Sequence, residues 1–151
     1  MKKLIYFLFF LIPFLSNGQY DWDSKNWDKE SLGFGCSVGG TSTKPVIEML
    51  IFFVNKDFKK IKINLKSKLA ADRFLAVFLL EKLKKKKELQ LNETELELIE
   101  EIKKSEELVP VCSGCSYWTE VPLNKLLNKN HHIYKSAENW FKHYYEMEYK
   151  K

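Results

Sequence analysis

The segment from Ala70 to Leu83 constrains the fold of this chain more than any other part of its sequence. Leucines recur every four residues at Leu75, Leu79 and Leu83, and phenylalanines repeat with the same spacing one position earlier. Apolar side chains therefore cover well over half of the circumference of a helix. Neither glycine nor proline interrupts the segment, and alanine is frequent, so a helix is favoured over a strand. We predict a buried central helix that packs against neighbours on several sides.

The chain begins with the three parts of a secretory signal peptide. Lys2 and Lys3 precede an apolar run over 4–15, and Ser16–Gly18 supply small residues for a cleavage site. An apolar run of about 12 residues is too short to span a hydrocarbon core roughly 30 Å thick. We expect cleavage before Gln19, which predicts a secreted or periplasmic protein without an integral membrane segment.

Composition and local signals divide the chain into three parts: a signal peptide over 1–18, an irregular lead-in over 19–44, and a single helical domain over 45–151. The length supports one core and not two. Asn92 and Glu95 have the spacing of a capping box, which predicts a helix that begins at Glu93. The predicted fold class is all-α, a compact bundle of about five helices with a glycine-rich N-terminal lead-in and a short extended Cys-x-x-Cys turn.

Two consecutive helical patterns between Phe58 and Leu83 resemble a single HEAT-type helical hairpin. A short helix that ends Ile-Asn-Leu-Lys-Ser is followed by the Phe-Leu-Ala-Val-Phe-Leu-Leu stretch of the central helix. The resemblance covers about 30 residues, and no second copy follows at a period near 40 residues. It implies antiparallel helix stacking, and protein-binding surfaces are common in such proteins.

The last predicted helix begins after Ser136 and is rich in aromatic residues. These fall on two adjacent stripes, one of which is expected to pack on the body. The other is a candidate interaction surface, with packing at the core or its rim as the competing interpretation. The candidate surface consists of Trp140, Tyr144, Tyr145 and Tyr149.

The charge pattern argues against nucleic acid as a partner. The net charge is +5 and falls to +3 when Lys2 and Lys3 leave with the signal peptide. Arg73 is the only arginine, so the guanidinium fork that binds phosphate and guanine is nearly absent. The lysine run over 82–87 complements the dipole at the end of the central helix, and the alternative is a site for an anionic surface.

Three cysteines in an exported protein leave one unpaired. Gly114 predicts a turn with a positive φ between Cys112 and Cys115, so these two sulfurs can bond to each other or face one metal ion. A bridge from Cys36 to either of them would close a loop of about 80 residues and contribute roughly 4 kcal/mol. We predict a Cys36 bridge to one of the turn pair, with the Cys112–Cys115 bridge as the alternative.

No combination of nucleophile, base and acid is recognisable, so the sequence predicts neither an enzyme nor a cofactor. It favours an exported helical module of structural or protein-binding function, with another protein as its partner and a disulfide for stability. The alternative is a thiol–disulfide or zinc-binding protein that uses Cys112 and Cys115 with Cys36. His131 or His132 would complete that zinc site, although their simplest interpretation is a loop.

Overall fold

The computed structural model describes residues 27–150 of the chain. The predicted signal peptide over 1–18 and the first part of the predicted lead-in, 19–26, lie outside the described residues. The described elements are α1 (Trp27–Glu30), α2 (Lys44–Val54), α3 (Phe58–Ile63), a 3₁₀ turn (Asn64–Lys66), α4 (Ala70–Lys85), α5 (Glu93–Ile102), β1 (Leu108–Ser113), β2 (Tyr117–Pro122), α6 (Leu123–Leu126) and α7 (His132–Tyr149).

The central helix predicted from the sequence is α4. Ten of its 16 residues are buried, and they are distributed around most of its circumference. Helices α2, α3, α5 and α6, together with β1, pack around it. Each large apolar side chain that leaves water in this way contributes about 1.5–3 kcal/mol. The last turn of α4 carries Lys82, Lys84 and Lys85, where positive charge complements the helix dipole.

The two strands make the fold mixed α/β, so the predicted all-α class is wrong. β1 and β2 pair antiparallel, with Cys112 opposite Trp118 and Val109 opposite Val121. The sequence indicated two extended pieces and a turn here, but a local pattern does not show where an extended piece finds its partner. The hairpin is part of the core because Val109, Val111 and Val121 are buried in it. Apolar burial and cross-strand pairing together stabilise the two strands.

Residues 32–37 lie beside β1 and contact the hairpin through two isolated bridges, Leu32 with Val111 and Cys36 with Gly114. The Leu32 N–H donates to the Pro110 carbonyl at 2.8 Å, and the Cys112 N–H donates to the Leu32 carbonyl at 3.1 Å. Farther along, the Gly114 N–H donates to the Gly35 carbonyl at 2.8 Å. The segment runs parallel to β1. β1 therefore has backbone partners on both of its edges.

Side-chain caps mark three helix starts: Asp57 caps α3, Asn92 caps α5 and His131 caps α7. Asn92 Oδ1 accepts from the Glu95 N–H at 2.8 Å, and Glu95 Oε2 accepts from the Asn92 N–H at 3.0 Å, which confirms the predicted capping box. The start predicted for the last helix is wrong, because α7 already begins at His132. His131 caps it through Nδ1, which accepts from the backbone N–H two residues on, and Ser136 lies inside the helix.

Candidate functional site

The disulfide lies where the segment over 32–37 meets β1. It joins Cys36 to Cys112, whose Cα atoms are 5.6 Å apart and whose positions differ by 76 residues. The structure therefore contains a disulfide from Cys36, as predicted, and its partner is Cys112, the first cysteine of the turn pair. Cys36 is 3% exposed and Cys112 is 0% exposed, so an external thiol has no direct access to either sulfur.

Gly33 provides the space that this bridge occupies. A β-carbon at this position would overlap the Sγ atoms of Cys36 and Cys112 and would lie 2.9 Å from the Cys112 carbonyl oxygen. Thr43 fixes Gly33 from the other side, since the Gly33 N–H donates to Thr43 Oγ1 at 3.1 Å and the Thr43 N–H donates to the Gly33 carbonyl at 3.0 Å. Only glycine fits between the bridge and the start of α2.

Cys115 is the free cysteine and lies exposed in the hairpin turn. Gly114, which precedes it, has the positive φ that the sequence predicted, at 62°. The alternative bridge between Cys112 and Cys115 is not formed, because Cys112 belongs to β1 and is bonded to Cys36. The predicted Cys-x-x-Cys turn is therefore divided between a strand and the tip of the hairpin.

The five residues of the alternative zinc site do not form a ligand set. The sulfurs of Cys36 and Cys112 are bonded to each other, so neither is a thiolate that binds metal. The rings of His131 and His132 stack with centroids 4.6 Å apart. Burial, and secondarily the neighbouring His132, lowers the pKa of the His131 imidazole. Within residues 27–150, no group of three or more His, Cys, Asp or Glu side chains is placed to hold a metal ion.

The aromatic residues predicted as an interaction surface pack against the body of the protein. Trp140 and Tyr145 are buried, while Tyr144 and Tyr149 are half-buried. The Tyr149 hydroxyl donates to the Phe53 carbonyl at 2.8 Å, and the two rings stack with centroids 5.3 Å apart. These contacts attach α7 to α2 and use much of the surface that an external partner would need.

An open groove, which we call the α3–α5 groove, lies between α3 with its 3₁₀ turn and the N-terminal half of α5. Its volume is about 580 Å³, which is in the range of ligand-binding clefts. Its apolar side chains come from Phe58, Ile63, Leu65 and Leu98. Ile63 is 61% exposed. The groove therefore presents apolar surface directly to solvent.

The rim of the α3–α5 groove is basic. Lys59, Lys62 and Lys66 line it, and Glu95 is the only acidic residue in the lining. Lys62 Nζ lies 2.9 Å from Glu95 Oε2. Burial raises the pKa of the Glu95 carboxyl, but hydrogen bonds from Lys62 and from the Asn92 N–H outweigh burial and hold that pKa below its usual value. Glu95 is therefore ionised and already paired, which leaves the rim with excess positive charge.

The groove was not predicted from the sequence, although one signal was available. Lys59, Lys62, Ile63 and Lys66 have the spacing i, i+3, i+4 and i+7, so they share one helical face. Three of these four residues are lysine, and Ile63 is the apolar exception on this face.

Comparison with known proteins assigns no family to the chain: no protein-family model, curated protein or solved structure matches it. Between Trp27 and Lys150, the structure also contains no helix with the length and apolar character needed to cross a membrane. The disulfide and the groove must therefore be interpreted from their own chemistry.

Proposed function

We propose that this chain is an exported, non-catalytic module that binds another protein through the α3–α5 groove, with the Cys36–Cys112 disulfide serving stability alone. The observation that carries the proposal is the groove, where Ile63 is 61% exposed among lysines. Exposed apolar surface with a polar rim is typical of protein interaction sites. The resemblance of 58–83 to a HEAT-type hairpin points in the same direction, since α3 forms one wall of the groove.

Export has two supports that are independent of the groove. One is the predicted signal peptide over 1–18, and the other is the disulfide, because such bonds persist mainly in oxidising compartments.

The lining of the α3–α5 groove separately supports a non-catalytic function. Its ionisable side chains are lysines and a glutamate that is paired with one of them, so no free nucleophile and base lie side by side there.

The alternative is a thiol–disulfide function, for which the exposed Cys115 thiol near the bridge is the favouring observation. Its weakness is that both bonded sulfurs are buried, whereas exchange requires a thiolate to reach one of them. Counting the free thiols in denaturant, before and after incubation in a glutathione buffer, distinguishes the two functions. We expect one free thiol without reductant, and a bridge that remains intact in a glutathione buffer; rapid exchange in that buffer would favour the alternative.

The proposed function is tested by capture of a partner from a cell-envelope extract, followed by titration with the purified partner. Ile63→Asp places a charge in the centre of the groove and should abolish binding. Ile51→Asp is the matched control, because Ile51 is the same residue type, is 50% exposed and lies on α2 outside the groove lining. Equal binding by the two variants, at equal thermal stability, would contradict the proposal.

A further inference from the structure

We infer that the partner presents an acidic amphipathic helix to the α3–α5 groove, an inference that rests on the proposed function and specifies its ligand. The helix would place apolar side chains on Ile63 and its neighbours and carboxylates on the lysine rim. Three features of the groove lead to this description: its charge, the secondary structure of its walls, and its length.

The charge of the groove selects an acidic occupant. The lining has three lysines against one glutamate, and that glutamate already pairs with Lys62. Lys59 and Lys66 are exposed, and within residues 27–150 neither has an acidic side chain in ion-pair contact. Glu93 and Glu95 in the first turn of α5 offset the partial positive charge of that helix end, so the excess positive charge of the groove comes from the lysines of α3 and its 3₁₀ turn. All three lysines belong to α3 and its 3₁₀ turn, so carboxylates along the edge of the occupant that faces this wall would complement Lys59 and Lys66.

The walls of the groove select a helix over an extended peptide. Both walls are helical, and α5 satisfies its backbone N–H and C=O groups internally, with the capping box at its start. An extended peptide would find no strand edge there and would gain no main-chain pairing. A helix brings its own hydrogen bonds and needs only side-chain contacts from the groove.

The length of the groove fits two to three helical turns. The wall from Phe58 to Lys66 consists of six α-helical residues and a three-residue 3₁₀ turn, which corresponds to about 15 Å at 1.5 Å and 2.0 Å per residue. Anchors at i, i+3 or i+4, and i+7 span about 10 Å, so an occupant of this kind fits within the length of one wall.

Two other occupants fit the groove less well. A second copy of this chain would have to offer its own acidic helix, but α5 already forms a wall of the groove and its Ile99 and Ile102 are buried. A free fatty acid matches the charge but needs a site that encloses most of its surface. The α3–α5 groove has exposed lining residues on both walls and covers one side of such a chain only.

The inference is tested by panning a peptide library displayed on phage against the purified protein, in parallel with the Ile63→Asp and Ile51→Asp variants. We expect peptides with apolar residues at i, i+3 or i+4, and i+7 and an excess of Asp and Glu to be enriched on the wild type and on Ile51→Asp, but not on Ile63→Asp. Enrichment that depends on Ile63 but shows no acidic or helical bias would overturn this inference and leave the proposed function intact. Enrichment that is independent of Ile63, or no enrichment, would overturn both.

Charge reversal then tests the electrostatic part with the most enriched peptide. The double variant Lys59→Glu, Lys66→Glu should bind about tenfold more weakly than the wild type at low salt, and high salt should reduce the difference. Lys135→Glu, an exposed lysine on α7, is the control and should bind like the wild type. Equal affinity of all three proteins would overturn the inference.

Two further measurements address the other occupants directly. A dimer in sedimentation that Ile63→Asp dissociates would replace the inference with self-association. Saturable binding of a fluorescent fatty acid that Ile63→Asp abolishes, without peptide enrichment, would replace it with a lipid site. A monomer that does not bind the fatty acid supports the inference.

Discussion

The helical body around α4 and the disulfide corner, by which we mean residues 32–43 with β1 and β2, are stabilised in different ways. In the body, ten buried residues of α4 contact apolar neighbours on several sides. The corner shares this core through Leu32 and Val111, and it adds backbone hydrogen bonds, one covalent bond and a glycine that has sulfur atoms where a β-carbon would be. The comparison teaches that the body depends on apolar volume alone, whereas the corner depends also on the absence of one methyl group.

The largest expected effect tests the dependence of the body on volume. Phe78 is 1% exposed, and its ring lies 5.2 Å from that of Tyr134 and 6.2 Å from that of Phe141. Phe78→Ala should lower the free energy of unfolding by about 4–5 kcal/mol, because the loss of buried area is joined by a cavity. Urea denaturation measures this value. Ile47→Ala, at an exposed position, is the control and should change it by less than about 1 kcal/mol.

The second prediction adds a single methyl group to the corner. Gly33→Ala should lower the free energy of unfolding by about 4 kcal/mol and should leave Cys36 and Cys112 partly unbonded, because the new β-carbon overlaps both sulfurs. Gly35→Ala is a matched control, since a β-carbon there would meet its nearest atom at 3.6 Å, an ordinary contact. Thiol counts and urea denaturation of both variants provide the comparison. Similar behaviour of the two alanine variants would show that the bridge does not depend on the space at Gly33.

The third prediction removes the disulfide and leaves the backbone hydrogen bonds of the corner in place. Cys36→Ala with Cys112→Ala should lower the free energy of unfolding by about 4 kcal/mol, mainly through the freedom gained by the unfolded chain. In hydrogen exchange, the amides of Leu32 and Gly114 should lose more protection than those of α4. A uniform loss across the protein would mean that the corner and the body open as one unit.

The smallest effect concerns the polar contact by which α7 joins the body. Tyr149→Phe should lower the free energy of unfolding by about 1 kcal/mol at neutral pH, because the hydrogen bond to the Phe53 carbonyl is lost. Burial first, and then the nearby negative charge of Glu88, raises the pKa of the Tyr149 phenol above its usual value near 10. The unfolded wild type therefore ionises first as the pH rises, and the difference between the two proteins should shrink above about pH 10. A difference that grows in this range would contradict the raised pKa.

The same contrast explains how much of the fold the sequence predicted. Helix α4, the capping box at Asn92 and the positive φ at Gly114 depend on residues close together in the chain, so local patterns were sufficient. The pairing of Leu32 with β1 depends on residues almost 80 positions apart, and nothing local indicates it. For this reason the pairing of Leu32 was missed, whereas the mixed α/β class was missed because the short extended turn predicted around Cys112 and Cys115 was not recognised as a hairpin, although β1 and β2 pair locally.

The two parts of the candidate site, the disulfide and the α3–α5 groove, could not be predicted equally well from the sequence. The stabilisation expected from closing a long loop predicted a Cys36 bridge, but the choice of Cys112 depends on which residue of the hairpin faces the segment over 32–37. The α3–α5 groove depends on how far α5 lies from α3, which is a tertiary distance. Only Ile63 among its lysines gave a local indication of it.

The span of the disulfide has a consequence for how the protein survives proteolysis. The chain between Cys36 and Cys112 contains α2, α3, α4 and α5, and exposed Lys86 and Lys87 follow α4. A trypsin-like cut after these lysines leaves α3 in one fragment and α5 in the other. The Cys36–Cys112 disulfide, whose sulfurs are buried, still joins the two fragments covalently. A nicked molecule thus keeps both walls of its groove in one covalent unit until a reductant releases them.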